Sequence, residues 1–255
     1  MAITCRYLIL ATLMLGLFSP GFAQSAEADE AVTFTVFARN RVADLQFLPT
    51  DNRPPQSVEF FGNTRSPVYK HSGASVAFYK GAELSAWWEA RAVAPGKAPP
   101  LPVPVAIAQI APGVERALFL FIPARSPGPG QPLYNVYVVD DSVRSLPVGY
   151  ASVINASGRE YMAKMGEQLL EVPHGLGGKI PVQGTVELRL ATQTGKGWVV
   201  GGRHTFRLGE RDRVSLVFFP PTSPTGIAPI IRTLVEELPE ENSAKPTPQV
   251  AAYGN

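Results

Sequence analysis

The sequence predicts an all-β protein built as two tandem β-sandwiches behind a secretory leader. Three observations carry this. Short apolar runs alternate with turn residues, proline is frequent at 25 positions, and one stretch of the chain occurs twice. The duplication is the most specific. Pro112 to Asp140 reads PGVERALFLFIPARSPGPGQPLYNVYVVD, and Gly209 to Glu237 reads GERDRVSLVFFPPTSPTGIAPIIRTLVEE. An ungapped offset of 97 pairs Arg116 with Arg213, Phe121 with Phe218, Pro123 with Pro220, Ser126 with Ser223 and Val138 with Val235. Each copy is an acid–Arg pair, an apolar strand, a Ser-Pro loop and a second apolar strand.

From its start, the chain carries Arg6, an apolar run from Tyr7 to Phe18, and small residues up to Ala23. That layout is a secretory signal peptide over 1–23, too short in its apolar part for a transmembrane helix. Cleavage after Ala23 removes Cys5, the single cysteine, and leaves 232 residues without disulfides or thiol chemistry. Core burial alone must then hold the fold. Removing Arg6 leaves 22 basic against 21 acidic residues. Such a balance supplies no one-sign field for nucleic acid, and no membrane insertion is expected after cleavage.

The strands follow in order. Val32 to Phe37 alternates and is rich in β-branched and aromatic residues. Leu45 to Leu48 and Val58 to Phe61 flank the turn cluster Thr50-Asp51-Asn52-Arg53-Pro54-Pro55, and Val76 to Tyr79 is another short strand. Leu84 to Val93 fits either a helical face of Leu84, Trp87, Trp88 and Arg91 or a strand. Alignment of Trp88–Ala92 with Val186–Leu190 favours the strand. The duplication also extends upstream, with Pro54–Thr64 set against Pro147–Ser157 and Gly96-Lys97 against Gly195-Lys196. The expected organisation is a first sandwich over 24–141, a second over 142–238, and a disordered Pro-rich tail over 239–255.

In the second repeat Pro147, the Asn155-Ala156-Ser157 element, Trp198, Arg213 and the run Val214 to Pro220 follow one another as a pattern. In this the chain resembles uncharacterised secreted bacterial proteins with tandem immunoglobulin-like β-sandwich domains. The first repeat departs from the pattern, with Gly62-Asn63-Thr64 and no Trp after Gly96-Lys97. The resemblance implies two immunoglobulin-like sandwiches and a cell-envelope setting; it brings no activity and no catalytic residues.

Candidate sites are few. His71, His174 and His204 lack metal-site spacing, and Gly-x-Ser-x-Gly is absent. Gly175-Leu-Gly-Gly178-Lys179 lacks the spacing and hydroxyl residue of a phosphate loop and reads as a loop between strands. Asp140-Asp141 and Glu236-Glu237 read as solvated strand ends. Arg116 and Arg213, each just after an acid, read as a repeated strand-edge salt bridge. Asn155-Ala156-Ser157 reads as a strand-end turn. On the strand reading Trp87 shares an exposed face with Glu89 and Arg91, and these three are the binding candidates. The expected function is a non-enzymatic binding or structural module, exported to the periplasm or beyond, without metal or cofactor. Its expected partner is a protein or a cell-envelope polysaccharide. The rival readings are a carbohydrate-binding module using Trp87 and a hydrolase whose site is not visible in the sequence.

Overall fold

The computed structural model describes residues 31–239, apart from 51, 60 and 224. The expected signal peptide, and the tail beyond 239, lie outside the described residues. What is described is two tandem β-sandwiches. The first holds β1 (Ala31–Ala38), β2 (Leu45–Phe47), β3 (Gln56–Ser57), β4 (Tyr69–Ser72), β5 (Ser75–Lys80), β6 (Ala106–Gln109), β7 (Arg116–Pro123) and β8 (Tyr134–Asp140). The second holds β9 (Tyr150–Asn155), β10 (Tyr161–Met165), β11 (Gln168–Val172), β12 (Gly175–Pro181), β13 (Gly184–Thr194), β14 (Gly197–Leu208), β15 (Asp212–Phe219) and β16 (Ile230–Glu237).

The two units have the same strand order. In the first, β4-β1-β7-β8 faces β3-β2-β5-β6; in the second, β12-β9-β15-β16 faces β11-β10-β13-β14. Each unit also has one parallel pair, β1 with β7 and β9 with β15. Phe121 and Phe218 therefore fall on equivalent strands, as the duplication predicts. The described residues form a structural repeat of eight strands.

The ungapped offset does not survive the whole hairpin. In the first unit Ile122 faces Asn135; in the second the equivalent Phe219 faces Ile230. β16 thus aligns with β8 at an offset of 95, because the connection before it is two residues shorter. A two-residue slip leaves every side chain on its own face of a sheet, so the core pattern tolerates it.

Two further alignments fail. Pro147–Ser157 contains β9, whose counterpart is β1, whereas Pro54–Thr64 contains β3 and the loop after it. The strand expected over Val58–Phe61 is not formed there; the strand nearby is the two-residue β3, just before it. The segment expected as a strand at Leu84–Val93 is the helix α1 (Gly81–Val93), followed by a 3-10 turn at Pro95–Lys97. Ala82, Ala86, Ala90 and Ala92 with Leu84, Glu83 and Glu89 are strong helix formers, and a five-residue alignment cannot outweigh them. Asp44 completes the helix start: its carbonyl accepts from the Gly81 N–H at 2.8 Å and its carboxylate from the Ala82 N–H at 3.1 Å. α1 occupies the β5–β6 connection, where the second unit has the β13–β14 hairpin turn.

Strand β7 shows how one sequence builds two cores. Ala117, Phe119 and Phe121 enter the interior of the first sandwich with Phe34, Phe47 and Phe78. Leu118, Leu120 and Ile122 point the other way, into a separate cluster with Phe37, Ile154, Val217, Phe219 and Leu234. That cluster joins the outer faces of β4-β1-β7-β8 and β12-β9-β15-β16. The sheets therefore stack in four layers, with the two units back to back. Both faces of β7 are apolar because both are covered, as expected for a central strand.

Candidate functional site

The junction of the two sandwiches is polar at one end. Arg116 on β7 and Arg213 on β15 are equivalent residues, and the two-residue slip makes Asp141 and Glu236 equivalent as well. Each arginine contacts both acids. Arg213 reaches Glu236 at 2.6 Å and Asp141 at 3.3 Å; Arg116 reaches Asp141 at 3.3 Å and pairs closely with Glu236. Arg65 adds a third guanidinium, 2.6 Å from Asp141. Arg213 is fully buried and its remaining donors reach the carbonyls of Asp141, Ser142 and Leu146. It thereby ties down the linker between the units. Burial is the largest influence on the Glu236 carboxyl and pushes it up. The hydrogen bonds from Arg213 and Arg116 and their positive charges together outweigh burial and hold it below the usual carboxylate range.

This corrects two expectations. The acids beside the arginines in sequence are not their partners: the Asp212 carboxylate accepts from the Gly209 N–H at 2.6 Å. Asp141 and Glu236 are not solvated strand ends either, since Asp141 is 2% exposed and Glu236 is half-buried in the cluster. Adjacent strand residues do face opposite ways, and their neighbours Asp140 and Glu237 bind elsewhere, to the Ser142 N–H and to Arg211.

The three binding candidates lie on α1 rather than on a strand. Glu89 is exposed. Arg91 stacks over both indoles, 5.4 Å from the Trp87 ring and 5.5 Å from Trp88, and donates to Asn52 at 3.1 Å. Trp87 donates its indole N–H to the Pro99 carbonyl at 2.9 Å. Trp88 is half-buried. Trp87 thus has its N–H bonded and a guanidinium over its ring.

The histidines are dispersed. The rings of His71, His174 and His204 contact the Ser75 carbonyl, the Tyr137 hydroxyl and the Thr233 hydroxyl respectively. Burial, with the nearby Arg232 charge, lowers the His204 pKa. Among the described residues no group of three or more His, Cys, Asp or Glu is placed to hold a metal ion. No described helix is long and apolar enough to cross a membrane.

Asn155 is fully buried. Its amide donates to the carbonyls of Arg159, Val172 and Pro173, and its carbonyl oxygen accepts from both the N–H and the hydroxyl of Ser157. The Asn-x-Ser element is therefore the turn that closes β9 onto β11. The Gly175–Lys179 stretch is not a loop but part of strand β12, with a bulge where Gly177 crosses Val153 so closely that a Cβ would lie 3.1 Å from its carbonyl oxygen.

Sequence reasoning passed over the β13–β14 hairpin as a site. Trp198 faces Gln193 across this hairpin and is 60% exposed. It borders a groove of about 750 Å³ lined by Glu160, Glu171, Gln193, Thr194, Met162 and Pro173 among others. The signal available in the sequence was a Trp beside Gly197 at the start of a long strand. A second hollow, about 430 Å³, lies at the junction beside Arg39, Asn40 and Arg41 over Ile122 and Phe219.

No protein-family model matches this chain, and comparison with curated proteins finds no similar sequence.

Proposed function

We propose that the chain is an exported, non-enzymatic binding or structural module of the cell envelope, in which two immunoglobulin-like sandwiches act as one rigid block. One observation carries this reading. The junction combines an apolar cluster of nine buried residues with five charged side chains that lock the linker. Domains that close around a substrate keep a small polar interface and a free hinge, and this junction has neither. A block of this kind presents surfaces in fixed relation, which suits a protein or polysaccharide partner. Export rests on the Arg6, Tyr7–Phe18 and Ala23 layout.

The test uses protein recovered from the exported fraction. Its mass is expected to begin at Gln24, and amide relaxation is expected to give both sandwiches one rotational correlation time. An intact Met1, or two independently tumbling units, overturns the proposal.

A further inference from the structure

We infer that the groove beside Trp198 binds neutral hexopyranose chains; this rests on the reading of the protein as a binding module. Of the three tryptophans, two lie under Arg91 and only Trp198 offers an open indole face. Its position is fixed by backbone pairing. Gln193 faces Trp198 and Thr194 faces Gly197 in register, and the Thr194 hydroxyl donates to the Gly197 carbonyl at 2.9 Å. The extra residue Gly201 lets β14 cross directly over Tyr161, whose hydroxyl is anchored on the Ile227 carbonyl at 3.0 Å. A ring held on a paired hairpin is preorganised.

The polar groups around the ring are unspent. The side chains of Glu160, Glu171 and Gln193 make no hydrogen bond or ion pair among the described residues, though the Glu160 carbonyl accepts from the Thr192 hydroxyl at 2.8 Å. A sugar ring has one face of C–H groups and an edge of hydroxyls. The indole takes the apolar face, and carboxylates and an amide take hydroxyls as acceptors and donor. The charge balance narrows the class. Two carboxylates against the single Arg159 repel phosphate, sulfate and uronate groups, so the ligand carries no anionic group. The groove volume lies within the usual range for small-ligand sites.

The experiment screens the mature chain against an array of cello-, manno-, galacto- and chito-oligosaccharides, then titrates the retained ones by calorimetry. Saturable binding to at least one neutral oligosaccharide is expected. Trp198→Ala is expected to weaken it at least tenfold, Trp198→Tyr to restore part, and Glu171→Gln and Gln193→Ala to weaken it severalfold. Val93→Ala, on α1 of the other sandwich, is expected to leave it unchanged. Failure of every neutral oligosaccharide to bind overturns the inference. So does undiminished binding by a Trp198→Ala variant with wild-type melting. Selective retention of sulfated or uronate sugars, or of a protein, overturns it as well. None of these outcomes touches the single correlation time on which the rigid-module reading stands.

Discussion

Removing the Arg213 guanidinium takes a partner from two carboxylates and three linker carbonyls at once, leaving Asp141 to Arg65 and Arg116 and Glu236 to Arg116. A buried ion pair adds little over an apolar replacement, but breaking one by removing a partner costs about 3–5 kcal/mol, here through the charge-assisted hydrogen bonds lost at the acids and the linker carbonyls. Arg213→Ala is therefore expected to lose about that much stability in urea unfolding, and Arg213→Lys to recover only part, because an ammonium cannot span the same acceptors. A loss below about 1 kcal/mol would show that the cluster is solvated. The same cluster sets a pH dependence. Glu236 is held below its ordinary value of 4.5 in the folded state. Its contribution to stability is thus fully present above 4.5 and is lost as pH falls through the lower, folded value. Wild-type stability should fall more steeply than that of Glu236→Gln as pH is lowered below 4.5, and parallel profiles would refute the assignment. The sequence displayed all these residues, including the recurrence of Arg116 and Arg213. It did not show their partners, since the ring exists only once two sheets dock back to back and the second hairpin shortens by two residues.

Elements were legible in proportion to how local their causes are. The apolar parity of β7 and β15 was readable because each face is filled by residues of its own strand. Helix α1 was misread because a repeat argument was preferred over local propensity, and the inserted helix has no counterpart in the second unit. Its start depends on one glycine. A Cβ on Gly81 would lie 2.2 Å from the Asp44 carboxylate, which receives the Ala82 N–H. Ala is the better helix former by about 1 kcal/mol, yet here it should displace the capping carboxylate. Gly81→Ala is thus expected to destabilise by about 1 kcal/mol, where propensity alone predicts a gain of that size. Chemical denaturation decides the sign, and a stabilised variant would mean that Asp44 moves aside freely. The Trp198 hairpin was readable as a strand pair but not as a site, because exposure of one indole is a property of the folded surface.

At the scale of the whole molecule, the four-layer stack predicts that neighbours on one strand have different duties. Phe119 is fully buried inside the first sandwich, stacked on Phe34 with ring centroids 4.7 Å apart. Leu120, the next residue, is equally buried but lies in the junction with Phe37, Val217 and Phe219. Burial values alone do not distinguish them; the alternation of a strand does. Phe119→Ala removes a core ring and should destabilise the first sandwich itself by about 3–5 kcal/mol. Leu120→Glu leaves that core intact and places a carboxylate in the apolar contact between units. The expected result is separation rather than unfolding. Wild-type protein should unfold in one calorimetric transition. Phe119→Ala should lower its midpoint, and Leu120→Glu should divide it in two while both units keep their near-ultraviolet circular dichroism. If Leu120→Glu instead unfolds the first sandwich as Phe119→Ala does, the junction is not a separable interface. The repeat would then be one continuous core, and the two-block account of the molecule would have to be abandoned.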